Sequence, residues 1–216
     1  MNILMFGLAT TAQAGWDGGV ILTPILGVSQ YSVNDTDSYS ARAGGVAGVS
    51  YRQKGMAGLH GRTRAVFQQN FLSDIGFREI KMGSYFGPRL GPLDLEIGVD
   101  YMYNEVDVPG VYTGTFNAYS VPLRANFDVE LVHVEVAAGP IFLLGTDEGD
   151  QRSGLSKTPI GVGDEFFYMA AASVDVKLAS IGLSASQRHT AYGVDTTLGA
   201  HISFLFLGFG SSGHAY

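Results

Sequence analysis

The chain contains no cysteine, few charges and no long apolar run. The absence of cysteine from its 216 residues excludes disulfide scaffolds and thiolate metal sites. Charged residues make up 15% of the chain, against about 25% in soluble domains. The longest run without charged or strongly polar side chains, Val136 to Gly145, is roughly half of the ~20 residues that a membrane-spanning helix needs. A helical membrane protein is therefore excluded.

Basic residues are also scarce, at 13 Lys and Arg against 20 Asp and Glu. A nucleic-acid partner is not expected, because phosphate binding requires clustered Lys and Arg. Apolar residues reach 46% and aromatic residues 12%, which excludes a disordered chain. Glycine, with 30 residues, occurs at about twice its usual share of ~7%.

The first 14 residues, MNILMFGLATTAQA, end in the small-residue pattern Ala12-Gln13-Ala14 that signal peptidase accepts. A signal peptide normally begins with Lys or Arg, and here the first basic residue is Arg42. The segment is therefore predicted to be a truncated signal peptide, with a buried first strand as the alternative. Residues 15–216 are predicted to form one exported domain.

Apolar side chains recur with a period of two, as in Leu93, Leu95, Ile97 and Val99, which is typical of strands. Short connections alternate with longer ones, such as 32–40, 70–76, 105–116, 145–165 and 191–196. This layout predicts an all-β, transmembrane, antiparallel up-and-down β-barrel. Ten strands fit the chain length best, eight are the alternative, and twelve leave too little chain for loops. The predicted strands are 20–31, 41–52, 57–69, 77–87, 93–104, 117–127, 131–143, 166–178, 181–190 and 197–209.

Charged side chains alternate with these apolar stripes and are predicted to face the barrel interior. The alternation alone also fits a soluble barrel such as a lipocalin, in which the aliphatic side chains fill the core. The signal segment and aromatic residues near strand ends favour the membrane barrel. The aromatic set is Trp16, Tyr31, Tyr51, Phe71, Tyr101, Tyr103, Phe127 and Tyr168; the predicted lumen charge network is Arg52, Arg62, Arg64, Glu79, Lys81, Asp94, Glu96, Asp100, Arg124, Glu135, Asp175, Lys177 and Arg188.

Pro24 and Pro122 fall within predicted strands. Because proline cannot donate to a β-ladder and a closed barrel has no free edge, each is predicted at a bulge or near a rim.

The segment Thr197 to Phe204 has the pattern polar-x-Gly-x-x-apolar-x-apolar, with Gly199, Ile202 and Phe204 at its fixed positions. It resembles the assembly signal of outer-membrane barrels, whose terminal aromatic would be Phe209 or Tyr216. Together with Tyr119 to Arg124 and Ala138-Gly139-Pro140, it resembles the small outer-membrane β-barrel domain family. The resemblance implies a Gram-negative outer membrane, contact with its lipids and lipopolysaccharide, and insertion by the barrel assembly machinery. It implies no particular activity.

The segment Gln187 to Tyr192 contains the strongest catalytic candidate, His189, which is predicted to face lipid. It resembles the catalytic histidine of lipid A 3-O-deacylases, but Ala191 stands where those enzymes have serine. Without that hydroxyl no acyl transfer is expected, and no catalytic residue is assigned. Asp195 and Thr190 are the other polar residues nearby.

His60, His133 and His201 all fall on the inward side of the period-two alternation. They lie on different strands, and no metal or cofactor is expected. The acidic residues Asp147, Glu148, Asp150 and Asp164, joined by Glu105 and Asp107, are predicted to be solvated loop residues.

The predicted role is structural or surface-interacting, with the lumen plugged by paired charges. A narrow, porin-like solute channel and a lipid A acyl hydrolase are the alternatives, in that order.

Overall fold

A computed structural model describes residues 16–33, 36–53, 57–71, 76–108, 112–148, 165–176, 179–190 and 193–209. The predicted signal segment, Lys177, Ala191 and Tyr216 lie outside these residues. Within the described ranges, no helix is long and apolar enough to cross a membrane. The strands are β1 (Trp16–Val33), β2 (Thr36–Gln53), β3 (Ala57–Phe71), β4 (Gly76–Leu90), β5 (Leu93–Val108), β6 (Tyr112–Ser120), β7 (Leu123–Val129), β8 (Val132–Glu148), β9 (Phe166–Val176), β10 (Ala179–Thr190) and β11 (Gly193–Phe209).

Antiparallel pairing joins these strands into a closed barrel. Strands that are consecutive in sequence pair with each other, except that β6 and β7 each pair with β5 and β8. The sheet is closed because β1 pairs with both β2 and β11. Closure leaves no strand edge, so the backbone groups are satisfied within the sheet, as a bilayer requires. The predicted all-β antiparallel barrel is confirmed.

The eleven segments form ten barrel strands, because β6 and β7 are two parts of one. The first part of β5 pairs with β7 and its later part with β6. On the other side, β8 pairs with β7 and then with β6 in the same way. Ten strands are therefore confirmed, and the eight-strand alternative is wrong.

Pro122 lies at the break between β6 and β7. The ladder continues across this break, since the backbone N–H of Gly98 donates to the Pro122 carbonyl at 3.1 Å and that of Val121 to the Pro140 carbonyl at 3.3 Å. Pro24 pairs with Gly45 of β2. Toward β11 it falls in a gap in the ladder close to a register shift between Val20 and Ile21. Both prolines thus lie at irregular positions, although Pro24 is far from either rim.

The predicted long connections are mostly wrong, because the strands continue through them. At four of these five positions, consecutive strands are separated by only two to four residues: 34–35, 72–75, 109–111 and 191–192. Polar residues do not end a strand whose backbone hydrogen bonds continue with its neighbour. Between β8 and β9, residues 149–165 remain as a long connection.

The side-chain distribution is inverted relative to a soluble barrel. Leu26, Leu123 and Leu183 on the outer face are 63%, 63% and 69% exposed, whereas Asp100 and Arg124 inside are 0% and 3% exposed. In a soluble barrel the aliphatic side chains would fill the interior. This molecule therefore has the fold of a transmembrane β-barrel, and the lipocalin-like alternative is wrong.

Most of the predicted aromatic residues lie on the outer face, but Tyr31 does not. Its side chain is buried, because it shares the inward parity of Ser29 on β1. Those that follow the outward alternation are Tyr51, Phe71, Tyr101, Tyr103, Phe127 and Tyr168.

Candidate functional site

The barrel lumen holds the principal concentration of polar chemistry, which we call the lumenal network. We name the end of the barrel near Trp16 and Phe209 the terminal end, and the opposite end, near Val33 and Thr36, the loop end. Alternation along each strand brings acidic and basic side chains to the interior from nearly every wall. The network falls into three groups along the barrel.

At the terminal end, Arg52 and His133 connect three carboxylates. The Arg52 Nη2 group donates to Asp94 at 2.8 Å and to Asp128 at 2.6 Å. The two ring nitrogens of His133 lie 2.9 Å from carboxylate oxygens of Asp128 and Asp175. These contacts tie the β2, β5, β7, β8 and β9 walls together.

In the middle, Glu135 binds two arginines from different walls. Arg62 pairs with Glu135 at 3.1 Å and with Glu96 at 2.8 Å. Arg124 pairs closely with Glu135 and lies 3.9 Å from Asp100. The Arg124 and Asp100 side chains are fully buried, so pairing is needed to offset their desolvation.

Tyr85 organises the middle group further. Its hydroxyl accepts a hydrogen bond from Arg64 Nε at 3.0 Å and donates to Asp100. The Arg124 guanidinium lies 4.3 Å from the centre of the Tyr85 ring, within the range of a cation–π contact.

At the loop end, Arg188 and Arg42 form two separate ion pairs. Arg188 Nη1 binds Glu79 and donates to Asn104 Oδ1 at 3.2 Å. Arg42 makes a bidentate pair with Asp195, with both N–O distances 3.0 Å. This planar, two-bond geometry is the strong form of an arginine–carboxylate contact.

Three of these pairs cross the lumen. The strand of Arg188 lies five positions around the ten-strand barrel from that of Glu79, which is the opposite wall. The other two join strands four positions apart. These three pairs are Arg188–Glu79, Arg62–Glu135 and Arg52–Asp128; a longer contact of 3.9 Å, Arg64–Glu135, joins the same two strands as Arg62–Glu135.

A cavity of about 300 Å³ lies beside the network. Its far wall carries small hydroxyl side chains of β9, β10, β11 and β1, including Ser173, Ser184, Ser203 and Thr23. Because these side chains are short, they cannot reach the charged side, and the space between remains open.

The structure brings most of the predicted charge network together. Lys81 is the exception among the described members, since it faces the lumen but no carboxylate lies within 4.0 Å. Lys177 lies outside the described residues. Several network members were missed by the sequence analysis: Arg42, Tyr85, Arg89, Asn104, Asn126, Asp128 and Asp195. The alternation along their predicted strands could have found Arg42, Tyr85, Asn104 and Asn126, but Arg89, Asp128 and Asp195 fell in predicted connections.

The three inward histidines do not converge. His60 lies 2.9 Å from Glu96 and 3.5 Å from Asp94, and both of these carboxylates also bind arginine. His133 contacts Asp128 and Asp175 instead, and among the described residues no contact with either carboxylate is found for His201. In the described part of the chain, no group of three His, Cys, Asp or Glu residues has the arrangement of a metal site.

His189 lies on the outer face, at the loop end of β10. Its ring meets Tyr168 edge-on at 6.2 Å and contacts the Gln187 amide oxygen at 3.0 Å. Asp195, the nearby acid, faces the lumen and binds Arg42. The histidine and this acid are therefore on opposite faces of the wall.

The assembly-signal positions lie on both faces of β11. Gly199 faces inward, while Ile202 and Phe204 face outward and are 41% and 46% exposed. Phe209 is the last residue of β11, paired with Gly18 of β1.

No protein-family model matches the sequence, and no curated protein matches it either. Solved structures do resemble the fold. The translocator domain of the autotransporter NalP from Neisseria meningitidis superposes with a TM-score of 0.51 at 10% identity, covering 95% of this chain and 96% of that one. The β domain of the Bordetella autotransporter BrkA gives a TM-score of 0.47 at 10% identity, covering 88% of this chain and 99% of that one. The Pseudomonas aeruginosa protein OccK7 (OpdD) gives a TM-score of 0.25 at 8% identity, covering 87% of this chain and 98% of that one.

Closure, the inverted side-chain distribution and the likeness to NalP define the class: the chain has the fold of an outer-membrane β-barrel domain. Within that class it is a ten-strand barrel whose lumen is crossed by ion pairs.

Proposed function

We propose that this protein resides in the outer membrane of a Gram-negative cell as a structural or surface-interacting barrel whose lumen is closed by the lumenal network. The terminal end then faces the periplasm, where outer-membrane barrels have their short turns. The loop end, with the long segment between β8 and β9, faces outside.

The observation that carries this proposal is the set of three cross-lumen ion pairs at three heights. Widening the lumen on its charged side would require separating buried charges that compensate each other. Breaking a buried pair costs about 3–5 kcal/mol when one partner is left alone. Three such pairs therefore stabilise the closed lumen relative to an open one.

The partners are those of the membrane environment. The outward aliphatic side chains fit lipid chains, and outward aromatic residues such as Phe71 and Tyr168 fit the interfaces with lipid head groups. Lipopolysaccharide is the lipid expected at the outer rim. The β11 pattern around Gly199 supports recognition by the barrel assembly machinery.

The proposal includes no catalytic step. His189 and Asp195 face opposite sides of the wall, and Arg42 holds Asp195, so this pair cannot act as a unit on one acyl group. Replacement His189→Ala is expected to leave the lipid A acylation pattern of cells unchanged. An altered pattern would restore the hydrolase alternative.

Planar-bilayer recordings test closure directly. The wild-type barrel is expected to show no steady conductance. Arg188→Ala removes the pair between opposite walls and is expected to raise the frequency of brief openings. Arg78→Ala is the matched control, because Arg78 pairs with Glu105 at the exposed rim. The protein should also fractionate with outer membranes and migrate differently on a gel before and after boiling in detergent. Finding it as a soluble periplasmic protein would refute the proposal.

The cavity favours one alternative, a narrow solute channel. Its lining extends from Arg42 and Asp195 near the loop end to Asp128 and His133 near the terminal end. A steady, ion-selective current from the wild-type protein would establish this channel and overturn the closed barrel.

A further inference from the structure

Lys81 is a lumenal cation without a partner of opposite charge. Every other lysine or arginine in the described residues has a carboxylate within 4.0 Å. The ammonium lies 6.0 Å from the centre of the Phe167 ring on β9, which is the outer limit of a cation–π contact.

The neighbours of Lys81 explain why it stays unpaired. In the register of the sheet, it lies opposite Val66 on β3 and Met102 on β5, whose buried side chains offer no acceptor oxygen. Two carboxylates near Lys81 have other partners: Glu79 binds Arg188, and Asp100 accepts a hydrogen bond from Tyr85 and lies 3.9 Å from Arg124.

The ammonium borders the lumenal cavity. The paired charges of the lumenal network form part of the cavity lining, and apolar side chains and serine and threonine hydroxyls form much of the rest. At about 300 Å³, the cavity is at the small end of ligand sites. The apolar lining residues are Ile21, Ile25, Val46, Val66, Met102, Ile141, Phe167 and Met169.

We propose that this cavity binds a small amphiphilic monoanion, with its head group on the Lys81 ammonium and its aliphatic body along the apolar lining. Lys81 is the one described lysine or arginine without a carboxylate within 4.0 Å, so the anion's head group would supply the ion-pair partner that its ammonium lacks. An inorganic anion would leave the apolar lining without contacts. A neutral apolar molecule would leave the ammonium unpaired, at a cost in desolvation.

Calorimetric titration of the folded barrel in nanodiscs tests the proposal. Hexane-1-sulfonate is the probe, because it stays anionic and carries a short aliphatic chain. Hexanol and hexylammonium control for uptake by lipid, and inorganic phosphate controls for binding of charge alone. The wild-type protein is expected to bind hexane-1-sulfonate saturably, with one molecule per barrel, and each control more weakly.

Two variants locate the site. Lys81→Met keeps the length of the side chain but removes its charge, and it is expected to weaken binding about tenfold or more, as loss of a charge-assisted contact implies. Ala171→Leu fills the cavity wall on β9 and leaves Lys81 intact; it is expected to weaken binding similarly. Arg78→Met removes one positive charge at the rim and is expected to bind like wild type.

The proposal is overturned by any of three results: no saturable binding to the wild-type barrel, equal binding of hexanol or phosphate, or wild-type affinity in Lys81→Met. If Lys81→Met fails to give a folded barrel, Ala171→Leu decides, and wild-type affinity in that variant likewise overturns the proposal.

Discussion

Replacement Glu135→Gln should destabilise the barrel by about 3 kcal/mol, at the lower end of the cost of breaking a buried ion pair. Glu135 binds Arg62 at 3.1 Å and pairs closely with Arg124, and it lies 3.9 Å from Arg64. In wild type these three guanidinium groups face three carboxylates, those of Glu96, Asp100 and Glu135. The variant keeps the shape of the side chain but leaves one positive charge in excess. The lower end applies because the Glu135 side chain is 20% exposed, so water partly screens the excess charge.

Urea unfolding in lipid vesicles measures this loss, with folded and unfolded protein separated by gel migration without boiling. The matched control is Glu105→Gln, whose side chain is 41% exposed and binds Arg78 at 3.0 Å. An exposed pair contributes no more than about 1 kcal/mol. Equal stability of Glu135→Gln and wild type, or an equal loss in both variants, would refute the idea that buried ion pairs in the lumen stabilise the fold.

Two further predictions concern the lipid face and the close approach of strands. Leu183→Lys places a charge on an outward side chain that is 69% exposed and should cost about 2–4 kcal/mol near the bilayer centre; Ser184→Lys, on the lumenal face, should cost less in the same urea assay, and the opposite order would mean that the outer face does not meet lipid. Gly87→Ala would put a Cβ 2.8 Å from the carbonyl carbon of Leu95 and 3.0 Å from the Cα of Glu96, forcing β4 and β5 apart at a cost of about 1–3 kcal/mol. Gly45→Ala, whose Cβ would meet only the Thr23 carbonyl oxygen at 3.5 Å, should be tolerated; equal losses in the two glycine variants would contradict this explanation.

The ten strands, and the division of each strand into a charged and an apolar face, could be read from the sequence because both depend on local alternation. Leu93 to Val99 illustrate this, since each residue faces the side that its parity predicts. Strand ends were predicted less well. Strands were expected to stop where polar residues accumulate, but pairing between neighbouring backbones carried β5 to Val108 and β11 back to Gly193.

The alternation of side chains along each strand also did not predict which charged side chains form ion pairs. It predicted that Arg188 and Glu79 both face inward, but not that they pair across opposite walls. It treated Lys81 like its neighbours, although Lys81 has no carboxylate partner. Such pairings depend on the tilt and stagger of the whole barrel, which no single strand encodes.

The sequence by itself determined the period-two strands, their number, and the separation of charge from aliphatic side chains. The tertiary structure decided that the charged face is the interior, because alternation is the same whether a barrel is turned toward lipid or toward water. It also decided the cross-lumen pairs and the cavity beside Lys81, because both arise only when residues distant in sequence are brought together by closure of the sheet.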